Sequence, residues 1–198
     1  MPPVFIDLTG DDDNGHQQPL VVPLVVDRYQ HCAVIRGAVS VAEQEALVIA
    51  VGGFPSLDKF THHGTYGRRT NVCSYLQDRG ALERVTQVAN RCAAAFEAAG
   101  VPTAHYSTCK KLAFLRYGEL GWHSDRTPGM KLVLSLLGPA TLTTSASNKC
   151  PAFGRKPAGP SEEVTLFPGD AYVMDAHKYA HHVKVHGRPR IALLMRGS

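Results

Sequence analysis

The sequence predicts an α+β fold that is mainly β: a sandwich or barrel preceded by supporting helices. Three observations carry this expectation. Beyond residue 105 the chain breaks into short apolar runs separated by Gly and Pro, the mark of a many-stranded sheet structure. Upstream of them lie two segments with helical signals. The composition, 44% hydrophobic with 19% charged residues, suits one domain with a substantial core.

Residues 1–18 read as a flexible acidic tail, with Gly, Asp, Asn and Gln clustered behind a short apolar run. Within it Val4-Phe5-Ile6-Asp7-Leu8-Thr9 leads into Asp11, Asp12 and Asp13. Residues 4–13 thus resemble a SUMO-interacting motif, in which an apolar strand adds to a sheet edge. Residues 19–198 are expected to form the folded domain. PLVVPLVVDRY suggests one or two strands. Ser40-Val41-Ala42-Glu43 is a capping-box pattern and predicts a helix over 41–50, stopped at Gly52-Gly53. Leu82, Val85, Val88, Ala89, Cys92 and Phe96 recur on one face of a second helix, 79–99, ended by Gly100 and Pro102. Strands are then expected at 111–117, 120–125, 130–138, 140–145, 163–167, 171–175, 181–186 and 189–196, with a loop over 146–161.

Charge and cysteine content narrow the function classes. The net charge is +4, yet residues 1–16 hold four Asp and no Lys or Arg, which leaves 21 − 13 = +8 on the remainder. A basic body is compatible with a polyanionic partner, DNA or RNA. The five cysteines are scattered, odd in number and form no C-x-x-C. This disfavours a disulfide framework or a structural zinc site and suggests a reducing compartment, nuclear or cytoplasmic. No stretch approaches the ~20 apolar residues of a membrane helix, and MPPVFIDLTG lacks the basic start of a secretory signal. The chain is expected to act as a monomer.

The chemistry concentrates at GWHSD, 121–125. H-x-D alone is weak, since a chain with ten histidines forms such pairs by accident. In a strand, residues two apart share a face, so His123 and Asp125 would point inward together and Ser124 outward. Two His and one carboxylate make the facial set that suits non-haem Fe(II). The C-terminal region offers candidates for the third ligand at His177, His181, His182 and His186. Only one of the adjacent pair His181 and His182 can face inward. Arg190 follows a turn at Gly187-Arg188-Pro189 and heads an apolar run, Ile191 to Met195, where an unpaired guanidinium would be costly. A buried arginine there could hold a carboxylate as a bidentate fork.

LRYGELGWHSD, VLSLLG, LFPGD, HHV and RPRIALLMR together resemble the Fe(II)/2-oxoglutarate-dependent dioxygenases, and most closely their AlkB-like nucleic-acid dealkylase branch. The resemblance spans residues 105–198. It implies a double-stranded β-helix (jelly-roll) core. It also implies Fe(II) held by His123, Asp125 and His181, 2-oxoglutarate held by Arg190 with Arg196 and Tyr117 assisting, and O2 as oxidant. HHGTYGRRT, 62–70, resembles the branch's substrate-facing loop and suggests Tyr66, Arg68 and Arg69 as substrate contacts, an aromatic for a base beside cations for phosphate. Leu115 stands where the branch has Asn, and the Asn that follows its first C-terminal Arg is absent. The implied activity is oxidative demethylation of alkylated bases. Hydroxylation of a protein side chain, as by a prolyl hydroxylase, and a non-catalytic binding module on the same barrel are the alternatives.

Overall fold

The computed structural model describes residues 24–50, 70–74, 79–115, 119–147, 155–187 and 190–197. The tail 1–18 with its 4–13 motif, and Tyr66, Arg68, Arg69 and Tyr117, lie outside the described residues. In chain order the elements are β1 (Val26–Arg28), β2 (Cys32–Ile35), α1 (Val41–Ala50), β3 (Thr70–Ser74), α2 (Arg79–Ala98), β4 (Tyr106–Leu115), β5 (Glu119–His123), β6 (Lys131–Leu137), β7 (Ala140–Ser145), β8 (Ser161–Leu166), β9 (Ala171–Met174), β10 (Ala180–Val185) and β11 (Arg190–Gly197).

α1 starts and α2 stops where local chemistry dictates. At α1 the Ser40 Oγ accepts from the Glu43 N–H at 3.3 Å, and the Glu43 carboxylate accepts from the Ser40 N–H at 2.9 Å. Two of the otherwise unpaired first-turn donors are thereby satisfied. The predicted stripe on α2 is buried: Val85, Ala89, Cys92 and Phe96 are each fully enclosed. The helix ends at Gly100, whose φ of 73° lets its N–H reach the Glu97 carbonyl while the Val101 N–H reaches that of Phe96. That left-handed closure is strained for any residue with a Cβ.

The strands form two antiparallel sheets. One has seven strands in the order β1-β2-β9-β6-β11-β4-β3, the other four in the order β5-β10-β7-β8. From β4 onward the chain passes back and forth between them, except at the β7–β8 hairpin within the four-stranded sheet, which makes a jelly roll. β2 and β3 had no clear signal in the sequence, and β4 starts earlier than expected. β6 and β11 read as continuous apolar runs because both their faces are covered. Leu132, Leu134, Leu136, Ile191, Leu193 and Met195 pack under the helices, whereas Val133 and Ala192 enter the core between the sheets with Leu142, Val164, Tyr172 and Val183. The site occupies this inter-sheet space.

The turn at Gly169-Asp170 ties the layers together. Asp170, 3% exposed, accepts from the Arg36 guanidinium at 2.8 Å and from the N–H groups of Phe167 and Gly37. Gly169 has φ of 91°, and a Cβ there would stand 2.8 Å from the Val39 carbonyl oxygen.

Candidate metal centre

Three sequence-predicted residues come together at one end of the inter-sheet space. One ligand atom each from His123, Asp125 and His181 lies within 4.8 Å of the others. Metal–ligand bonds of ~2.1 Å let ligand atoms up to ~4.2 Å apart meet one ion, so small side-chain rotations suffice. His123 ends β5 and His181 is the second residue of β10, directly opposite each other in the ladder, with ring centroids 4.1 Å apart.

A β-bulge decides which face His123 takes. The pairing moves from His181↔His123 to Val183↔Leu120, so two residues of β5 stand opposite His182 alone. Leu120 and His123 consequently both point inward despite being three apart. Trp122 turns to the outer face, where it stacks on His182 at 5.7 Å, and His182 pairs with Glu119 at 3.0 Å. Of the adjacent histidines, His181 is therefore the inward one. His186 bonds Thr141 on the outside. Asp125 reaches the cluster by another route than strand alternation. It lies beyond the end of β5, where its N–H donates to the Ala176 carbonyl at 2.7 Å, and its own carbonyl meets the His177 Nδ1 at 2.9 Å.

The electrostatics suit a cation. A carbonyl only accepts, so the contacts of His123 Nδ1 with the Gly121 carbonyl (2.8 Å) and His181 Nδ1 with the Tyr179 carbonyl (3.3 Å) put each ring proton on Nδ1. Both Nε2 atoms then carry lone pairs, the form a metal needs. Burial, reinforced by His123, pushes His181 down to about 3, which keeps it neutral.

Arg190 opens β11 and is 2% exposed. It donates to the Ser135 Oγ at 2.9 Å and the Gly138 carbonyl at 3.4 Å. Among the described residues no carboxylate forms an ion pair with it. Burial depresses its affinity for protons, with Tyr172 and Asp170 pulling the other way. A guanidinium nevertheless stays charged, so this is a buried cation with no carboxylate partner among the described residues. Tyr172, on β9, lies within electrostatic range of both Arg190 and Asp125, and burial raises its phenol to about 12. Ser135 and Tyr172 were missed in the sequence. VLSLLG carried the signal for Ser135, as the one polar residue in a run covered on both faces. Arg196 is half-buried on β11, six residues from Arg190 and opposite Lys131.

No protein-family model and no curated protein matches the chain. Solved structures do. That of OsALKBH1 matches 88% of this chain and 100% of its own length at 13% identity, with a TM-score of 0.55. A Pseudomonas putida prolyl-4-hydroxylase matches 85% of this chain and 94% of its own at 15% identity, with a TM-score of 0.59. An oxidoreductase of the 2OG-Fe(II) oxygenase family from Burkholderia pseudomallei matches 84% of each chain at 14% identity, with a TM-score of 0.59. The fold is thus the jelly roll of the 2-oxoglutarate/Fe(II) oxygenases.

Proposed function

We propose that the protein is an Fe(II)- and 2-oxoglutarate-dependent dioxygenase of the AlkB-like kind, acting on methylated or alkylated bases in nucleic acid. One observation carries the reading: a two-histidine, one-carboxylate cluster shares an inter-sheet space with a buried arginine that has no carboxylate partner among the described residues. The donor set fits Fe(II), and the arginine fits the far carboxylate of 2-oxoglutarate. When bound, the iron with 2-oxoglutarate and O2 supplies the oxidation, in which one oxygen atom converts 2-oxoglutarate to succinate and CO2 and the other enters a substrate C–H bond.

The chain's own groups do the positioning. His123, Asp125 and His181 hold the metal, their orientation set by the Gly121 and Tyr179 carbonyls and by the Ala176 strut under Asp125. Arg190, braced by Ser135 and the Gly138 carbonyl, anchors the co-substrate; Arg196 and Tyr117 assist it. Tyr66, Arg68 and Arg69 contact the substrate. The sheets exclude water from the reacting groups. Hydroxylation of an N-methyl group gives a hemiaminal that collapses to formaldehyde and the free base, and a base within a duplex would first be flipped out. The basic body outside the tail and the likeness to OsALKBH1 support nucleic acid as the substrate.

The prolyl-4-hydroxylase likeness favours a second reading, hydroxylation of a protein side chain. Succinate release with Fe(II) and 2-oxoglutarate, measured over methylated DNA, methylated RNA and peptides, separates the two. Stimulation by methylated oligonucleotides with formaldehyde release is the expected result. Stimulation by peptides alone supports the second reading. Turnover that survives His123→Ala would overturn the metal assignment.

A further inference from the structure

We infer that the hydroxyl of Thr144 is a second anchor for the co-substrate, donating a hydrogen bond to it at the metal end while Arg190 holds its far carboxylate. The inference rests on the oxygenase reading above and extends it to a residue that no motif indicated.

Ladder register sets the position of Thr144. Across the four-stranded sheet His123 stands opposite His181, His181 opposite Thr144, and Thr144 opposite Glu162. Directly paired residues project from the same face of a sheet. His181 points inward, and further along β7 the inward residues Leu142 and Ala140 belong to the inter-sheet core. Thr144 therefore projects into the same space, one strand beyond a candidate metal ligand.

The second observation is chemical. Thr144 is 0% exposed, and among the described residues its Oγ1 has no hydrogen-bond partner. Buried hydroxyls are nearly always paired, so an unpaired one marks a place where a ligand or water completes the bond. Three other buried atoms share this state, on His31, Thr86 and Tyr106. Tyr106 belongs to the core beneath the helices, Thr86 lies on α2, and His31 stacks on Tyr179 in the turn between β1 and β2. Only Thr144 continues the row of the histidines.

The neighbours select the ligand. Glu162, next in the row, accepts the Gln30 N–H at 2.9 Å and brings negative charge to that flank. A hydroxyl beside it serves best as a donor to an acceptor lying toward the metal and Arg190. The oxygens of 2-oxoglutarate at the metal end meet that description.

The test is calorimetric titration of 2-oxoglutarate into the full-length protein loaded with Mn(II), without oxygen, so that binding is read apart from turnover. Thr144→Val keeps shape and β-branching and removes the donor. The expected result is 2-oxoglutarate binding about tenfold weaker, the worth of one buried hydrogen bond, with Mn(II) affinity unchanged. The ligand-free melting temperature should hold or rise, because the lost hydroxyl had no partner among the described residues. Thr144→Ser should bind within about twofold of the wild type, on the same scale of hydrogen-bond energies. Wild-type affinity in Thr144→Val would overturn the inference, as would equal losses in the Val and Ser variants, which would mark a packing role. Failure of the wild-type protein itself to bind 2-oxoglutarate would instead defeat the oxygenase reading, and this inference with it.

Discussion

Arg190 and the two inward histidines set opposite problems at the scale of single residues. His181 must stay neutral in a buried place, and burial itself secures this. The arginine cannot become neutral, so the fold keeps a buried charge that no carboxylate pairs among the described residues. Arg190→Met should weaken 2-oxoglutarate binding by about 100-fold, as expected when one member of a buried charge pair is truncated. Anaerobic titration would measure this, with Mn(II) affinity as the control. Loss of both would show instead that Arg190 supports the metal end. His123→Ala or Asp125→Ala should abolish Mn(II) uptake with little loss of thermal stability, since neither side chain belongs to the apolar core.

Among elements, the turn before β9 and the start of α1 are held by identifiable contacts. Gly169→Ala meets both a positive φ and the Val39 carbonyl, and should cost about 2–3 kcal/mol in urea unfolding. A cost within a few tenths would show that the turn yields. At the start of α1 the Glu43 carboxylate is opposed by burial but held below its usual range by Arg91 and Ser40. The sign follows from the depressed value. Stability from Glu43 is complete above its unfolded value near 4.5 and is lost as pH falls through the lower folded value. The gap in urea midpoint between wild type and Glu43→Gln should therefore be widest near neutrality and close as pH drops below about 4.5. A gap independent of pH would refute the linkage.

For the molecule as a whole, the two candidate metal-binding histidines and Arg190 belong to different sheets. His123 and His181 lie in the four-stranded sheet and Arg190 in the seven-stranded one. A co-substrate spanning both would staple the sandwich. Mn(II) with 2-oxoglutarate at 100 times its dissociation constant should add about 2.7 kcal/mol of stability by mass action. That corresponds to roughly 5–10 °C in melting temperature for a chain of this size. Arg190→Met should keep the Mn(II) increment and lose the 2-oxoglutarate one. Equal melting curves with and without ligand would argue against a shared site.

The sequence by itself determined the two helices, the capping box, most strands after residue 105 and the identity of the clustered residues, because these depend on local periodicity and on residue chemistry. It could not find β2 or β3, whose short runs become strands only by pairing with distant partners. Nor could it show how Asp125 reaches the cluster, since alternation fails once the strand has ended. Only in the folded molecule did it emerge that a bulge lies between Leu120 and the inward His123, that Ser135 braces Arg190, and that Thr144 stands beside His181. Each is a matter of register between strands far apart in the chain, and register is fixed by long-range packing.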